Sequence, residues 1–317
     1  MSVPRIAYVL PLRSRLQFTT NLLPSLVRHS SRPHEIVIVL DKTPLQYELA
    51  RRPNEFPPSQ TEQFLRRDEA GREQVYRWID AHQKLLDEHG INVLEFIGDE
   101  RCWTGGIRAA AAMNMGTAAT SSEWVATFGD EDLVFMKNWD VALWDVLRDH
   151  DPMQFVSTPV MVTPDLRDPY PEVLTAAWIH AQRDLCCHKL TLPLPVKFSR
   201  DLLSGRLTYD TFLRFYEIGK MGGCINERCG ERRMCHWVPM ITHRKLFDRV
   251  GGYPTHDRAA SSFDLVFDDS LRALGVTKRM PLDHMVLHTK HYVYMSDEVD
   301  REWADKTLLD SIAHDRF

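Results

Sequence analysis

Three consecutive carboxylates, Asp130-Glu131-Asp132, follow the apolar run Trp124-Val125-Ala126-Thr127-Phe128 and a glycine. Such a run suits a buried strand. A strand cannot bury three adjacent charges, so the carboxylates belong at its end, in a loop or cleft. Alternate residues of an extended segment point the same way. Asp130 and Asp132 can therefore face one point, with Glu131 turned away. Two converging carboxylates repel unless positive charge lies between them. A divalent cation carrying a phosphorylated ligand meets that need, and hard oxygen ligands suit Mg2+ or Mn2+. An acidic surface turn would use the same tripeptide, and the surrounding elements decide between the two.

Further groups with chemistry lie late in the chain. In Ser261 to Gly275, Phe263, Phe267, Leu271 and Leu274 recur at helical spacing and make one apolar face. Ser261 or Ser262 can cap the start and Gly275 can end the helix. Asp264, Asp268 and Arg272 then line another face, with Asp264 in the first turn. Asp268 and Arg272 could equally be an ordinary surface ion pair one turn apart. Cys224, Cys229 and Cys235, with Cys186-Cys187-His188 upstream, could supply four ligands to a structural Zn2+. Their spacing is looser than a regular Cys-x2-Cys pair, and buried unliganded thiols are the competing expectation.

The elements that must position these groups follow from periodicity. Arg5 to Pro11, Glu35 to Leu40, Asn92 to Ile97 and Trp124 to Phe128 are expected strands. Gln17 to His29, Thr61 to His89, Thr104 to Thr120 and Asn138 to Leu147 are expected helices. This alternation over about 150 residues predicts an α/β fold, an open and mostly parallel sheet with helices on both faces. Ligands of such sheets bind beyond the carboxyl ends of the strands. Pro11-Leu12-Arg13, Asp41 and Asp130-Glu131-Asp132 all fall at those ends, which favours a shared cleft over an acidic turn. Later, Gln154 to Val162 and His236 to Ile241 are expected strands, His243 to Val250 a helix, and 298–313 a charged amphipathic helix.

The 317 residues, 44% of them hydrophobic, suffice for one large core or two modest domains. A net charge of −5 supplies no global attraction to nucleic acid or acidic membranes. No apolar run approaches the roughly 18 residues of a membrane span. The first residues read as a strand rather than a signal peptide, so a cytoplasmic protein without disulfides is the expectation.

Taken in order, IAYVLPLRSR, EIVIVLD, WTGGIRAAAAMNMGTA, WVATFGDED, HRKLFDRVGGY and FDLVFDDSLRALG followed by VLHTKH resemble the family 2 glycosyltransferases of the GT-A fold. The resemblance covers about residues 4–150 and 236–290. It implies a nucleotide-sugar-binding half over 1–150 and completion of the domain over 236–297, while the chain pattern adds an insertion over 151–235 on the acceptor side and a C-terminal helix over 298–317. It implies Pro11, Arg13 and Asp41 beside the nucleobase, and Arg108 and Asn114 on the helix facing the diphosphate, where positive charge and helix N–H groups suit an anion. Asp130 would take the ribose and Asp132 the metal, Mn2+ or Mg2+. His288 would complete the metal site, with His291 the lesser choice. Asp264 is the first choice for catalytic base, then Asp268, then Asp269. The chain departs from the pattern in the long connection between Thr43 and Gly90 and in lacking the usual acidic pair before the late helix.

The activity implied is metal-dependent transfer of a sugar from a UDP- or GDP-linked donor to an acceptor hydroxyl, by direct inverting displacement. The acceptor could be a saccharide, a small metabolite, a protein or a hydroxylated nucleic-acid base. Nucleotidyl transfer would want a Gly-rich loop after the first strand, and LPLRSRLQF has the arginines without the glycines. A non-catalytic binder of nucleotide-sugars or nucleic acid would leave the late carboxylates dispensable.

Overall fold

The computed structural model describes residues 2–14, 22–51, 58–127, 133–135, 138–162, 224–228, 240–256, 263–281 and 285–288. The first half runs β1 (Ile6–Leu12), α1 (Leu23–His29), β2 (Glu35–Asp41), α2 (Gln46–Arg51), α3 (Pro58–Glu88), β3 (Ile91–Phe96), α4 (Gly105–Ala118), β4 (Trp124–Thr127), β5 (Leu133–Phe135) and α5 (Trp139–Asp145). It continues through β6 (Phe155–Ser157), β7 (Val160–Val162), β8 (Cys224–Arg228), β9 (Met240–His243), α6 (Arg244–Arg249), α7 (Phe263–Ala273), β10 (Thr277–Pro281) and β11 (Met285–His288).

Eight strands form the main sheet in the order β3-β2-β1-β4-β9-β6-β10-β8. The first four are parallel, while β9 is antiparallel to both β4 and β6. A second sheet, β5-β11-β7, stands beside it. β1 and β2 are buried along their whole length, which is why both read as unbroken apolar runs. Successive β1 residues feed opposite faces. Ile6, Tyr8, Leu10 and Leu12 pack with Leu26, Trp78, Ile79 and Trp139, from α1, α3 and α5. Ala7 and Val9 pack with Ala110, Met113, Phe247 and Phe267, from α4, α6 and α7. The result is the expected sheet with helices on both faces. α4 lies closest: a Cβ on Gly116 would sit 2.4 Å from Val9 Cγ1 and 2.8 Å from Val39 Cγ2.

One expectation needs correction, one is described only in part, and one strand was not expected. Gln154 to Val162 is two strands, not one. Pro159 has no N–H to extend the ladder, and across it the chain leaves the main sheet at Ser157 and joins the small one at Val160. The strand placed at His236 to Ile241 is described from Met240 to His243. β10 was absent from the sequence reading because Lys278 and Arg279 look like surface residues, yet Lys278 is buried. The helix expected over 298–313 and most of the 151–235 insertion lie outside the described residues. Among the described residues no helix is long and apolar enough to cross a membrane.

Candidate functional site

The strand order reverses between β1 and β4, since β2 and β3 extend the sheet on one side of β1 and β4 begins the other. A crevice opens beyond the carboxyl ends of strands at such a switch point. β4 ends at Thr127, opposite Val9. Pro11, two residues further along β1, therefore falls past that last pairing, where a missing N–H costs β4 no described hydrogen bond. Asp130 and Asp132 lie outside the described residues, a few positions beyond Thr127.

Arg13 and Asp41 meet at the ends of β1 and β2. The Arg13 Nη1 donates to Asp41 Oδ2 at 2.8 Å, and Asp41 Oδ1 accepts from Thr43 N at 2.9 Å. Asp68, on α3, holds the other edge of the guanidinium at 2.7 and 3.0 Å. Burial alone would lower the Arg13 pKa, and the carboxylates of Asp68 and Asp41 outweigh it and raise the value. Arg108, in the first turn of α4, stands 3.3 Å from Asp41 Oδ2 through Nε and 3.1 Å from Glu48 of α2 through Nη2. Its Nη1 is buried without a hydrogen-bond partner. Thr104 caps this helix by accepting from Ile107 N at 3.2 Å. A buried cation at a capped helix start is suited to an anion. Cys102, buried nearby, has its thiol pKa pushed up by burial and then by Asp99 and Asp41.

Asn114 lies deeper in α4 and has a different task from the one expected. Its side chain donates to Tyr253 O at 2.8 Å and accepts from Tyr253 N at 2.8 Å. It pins the Gly251-Gly252-Tyr253 turn after α6 instead of reaching toward a diphosphate. Gly252, at φ +69°, fits this turn because a Cβ there would fall 2.6 Å from Asn114 Oδ1.

Tyr253 carries the connection onward. Its hydroxyl hydrogen-bonds Thr127 Oγ1 at the end of β4. Its ring stacks on Phe267 at 4.4 Å and meets the edge of Phe263 at 5.5 Å, both on α7. Asp264, buried in the first turn of α7, joins with the burial of Tyr253 itself to push the phenol pKa well up. Thus Asp264 is brought toward the end of β4. Asp268 is not. Its carboxylate pairs with Lys278 of β10 at 2.8 Å, both side chains being almost fully buried, while Arg272 pairs with exposed Asp269 at 3.1 Å. Among the described residues the alternative Asp268–Arg272 surface pair is not formed.

His288 pairs in register with Leu133, the residue that follows Asp132. Of the cysteine cluster only Cys224 is described, opposite Pro281 on β8; Cys186, Cys187, Cys229, Cys235 and His291 lie outside the described residues. Among the described residues no group of three or more His, Cys, Asp or Glu could hold a metal. The sequence reading missed Glu48, Asp68, Tyr253 and Lys278. Only Tyr253 carried a local signal, the Gly-Gly pair before it.

No family model matches the chain, and no curated protein matches it. Among 109 matching chains of solved structures is a crystal structure of GalNAc-T7 with UDP, GalNAc and Mn2+. The identity is 12% and the TM-score 0.50, over 90% of this chain and 44% of that one, so this chain spans less than half the length of that neighbour. At that identity the likeness is one of fold, and the strand order with its switch-point crevice and flanking helices agrees with it: this chain has the GT-A-like fold.

Proposed function

We propose that the chain is a metal-dependent glycosyltransferase that moves a sugar from a nucleotide-diphosphate donor to an acceptor hydroxyl. The observation that supports this reading is the register of His288 on Leu133, the residue that follows Asp132 in the sequence. The Asp132 carboxylate and the His288 imidazole, completed by diphosphate oxygens, would form a donor set that fits Mn2+ or Mg2+. A metal bound there would stabilise the departing diphosphate. The neighbour with UDP, GalNAc and Mn2+ supports the same kind of donor.

In this reading Asp41 faces the nucleobase, Arg108 and the α4 N-terminus face the diphosphate, Asp130 takes the ribose, and Asp132 with His288 takes the metal. Asp264 is the base: it removes the acceptor proton while the acceptor oxygen bonds to the anomeric carbon and the bond to the diphosphate oxygen breaks. The acceptor is a saccharide, a small metabolite, a protein or a hydroxylated nucleic-acid base, and the compartment is the cytoplasm.

Thermal-shift profiling of UDP- and GDP-sugars with Mn2+ and Mg2+ tests the reading, because a ligand that binds the native state raises its apparent stability. Asp132→Ala is expected to abolish metal-dependent donor binding. Asp264→Asn is expected to keep donor binding and lose transfer. Absence of both binding and turnover for every donor would sink the proposal.

A further inference from the structure

The long segment between Thr43 and Gly90 has no task so far. Most of it is α3, a helix of 31 residues. Its outer surface carries ion pairs one turn apart, Arg66 with Glu62 and Arg77 with Glu73. Its inner side is built against the end of β1. A Cβ on Gly71 would fall 2.6 Å from Ser14 O and 2.9 Å from Ser14 Cβ, so the helix backbone presses directly on the residue after Arg13. One turn earlier, Asp68 reaches the guanidinium and also pairs with Arg72 at 3.0 Å.

The guanidinium is fully used. A guanidinium has five N–H groups. Arg13 Nε donates to Asp68 Oδ1, Nη1 to Asp41 O and Oδ2, and Nη2 to Thr43 O and Asp68 Oδ2, at 2.7 to 3.4 Å. Held so, Arg13 offers a ligand no hydrogen-bond donor. Its remaining effect is on Asp41, which it fixes by one carboxylate oxygen while Thr43 N fixes the other. Without Asp68, the Nε–H and one Nη2–H would be released toward whatever lies beyond β1.

We propose that Asp68 is a positioning residue for nucleobase discrimination: from α3 it withholds the Arg13 donors, so that the base is read by the acceptor Asp41 alone. The assignment rests on the nucleotide-binding reading above. An acceptor selects bases by their donor groups, such as the imide N–H of uracil or the N1–H and amino group of guanine. Freed arginine donors would instead meet carbonyl oxygens and unprotonated ring nitrogens, such as O2 and N3 of cytosine, and so admit a base that lacks the ring N–H.

The test is calorimetric titration of the full chain with UDP, GDP and CDP in Mn2+, for wild type, Asp68→Asn and Asp68→Glu, with thermal melts alongside. The wild type is expected to prefer UDP or GDP, whose bases carry a ring N–H, over CDP, whose base lacks one. Asp68→Asn is expected to bind the preferred nucleotide roughly tenfold more weakly, the scale of one charge-assisted hydrogen bond, and to bring its affinity ratio to CDP toward one. Asp68→Glu, which keeps the acceptor charge, is expected to retain part of the preference. A merely structural loss would weaken all three nucleotides equally. Variants that keep the wild-type ratio, or a wild type that binds all three equally, overturn the assignment and leave the nucleotide site standing. A wild type that binds none of them overturns the nucleotide site itself.

Discussion

Asp268 was the second choice for catalytic base, and its surroundings make it a pillar of the fold instead. Its carboxylate lies 2.8 Å from Lys278 Nζ, with 2% and 1% of the two side chains exposed. The pair joins α7 to β10, a strand hydrogen-bonded to β6 on one side and β8 on the other. Removing one member of a buried pair leaves the other charge poorly compensated, at a cost of about 3–5 kcal/mol. For a domain of this size each kcal/mol moves the melting temperature by roughly 2–4 °C, so Asp268→Asn should lower it by roughly 6–20 °C. Lys278→Met should do the same. The double variant Asp268→Leu/Lys278→Met removes both charges and should recover most of the loss, because apolar replacements of buried pairs are often neutral or stabilising. Thermal unfolding of the three variants near neutral pH gives the coupling between the sites. Transfer assayed well below the melting transition should survive in Asp268→Asn. If that variant melts with the wild type yet fails to transfer, Asp268 is catalytic and the assignment of Asp264 as base is wrong.

Three further outcomes are expected. Gly116→Ala should destabilise by about 1–3 kcal/mol in a denaturant titration, because the new methyl would meet Val9 and Val39, both buried in central strands with no room to yield. Arg244 donates to Ser122 O at 2.9 Å, Thr117 O at 2.9 Å and Thr120 Oγ1, closing the end of α4; Arg244→Lys keeps the charge but cannot span three acceptors, and should melt several degrees lower. Acid should weaken the fold in a defined window. Burial works against ionised Glu35 and Asp140, but bonds from Ser122 and Ser121 to Glu35, and from His34 and Ser31 to Asp140, prevail and depress both pKa values below their ordinary 4.5 and 3.8. A carboxylate depressed in the folded state contributes stability that is complete above its unfolded value and drains away as pH falls through the folded one. Stability measured from pH 6 downward should therefore hold until about pH 5 and then decline; removing either acid by Glu35→Gln or Asp140→Asn should flatten that decline.

The first half of the fold was readable because β1, β2 and β4 bury every residue and its helices repeat cleanly. β1, β2 and β4 are unbroken apolar runs, and Ala-rich α4 announces close packing on the sheet. Their ends followed at once, and with them Arg13 and Asp41 in one cleft, while Arg108 entered only through the family resemblance. What failed shares one physical cause: a polar residue whose partner is distant in sequence. Lys278 hid β10 because nothing local tells that Asp268 neutralises it. Asn114 looked like a ligand-facing amide, since only the fold shows Tyr253 returning to occupy both ends of it. Asp68 looked like one more acid on a charged helix until α3 laid it against Arg13.

Those distant pairings also explain how the two halves of the candidate chemistry are held to one geometry. α4 is the common support: its first turn carries Arg108 to Asp41, its middle grips the Tyr253 turn through Asn114, and its end is closed by Arg244 at the start of α6. Tyr253 then bonds Thr127 and stacks on Phe267, so the first turn of α7, with Asp264, is referenced to the end of β4. A displacement of α4 would move Arg108 and the turn that supports α7 together. Arg108 and Asp264 can thus keep a fixed spacing although no hydrogen bond between them is required, and substitutions at Asn114 should disturb both ends of this arrangement at once where those at Arg108 disturb one.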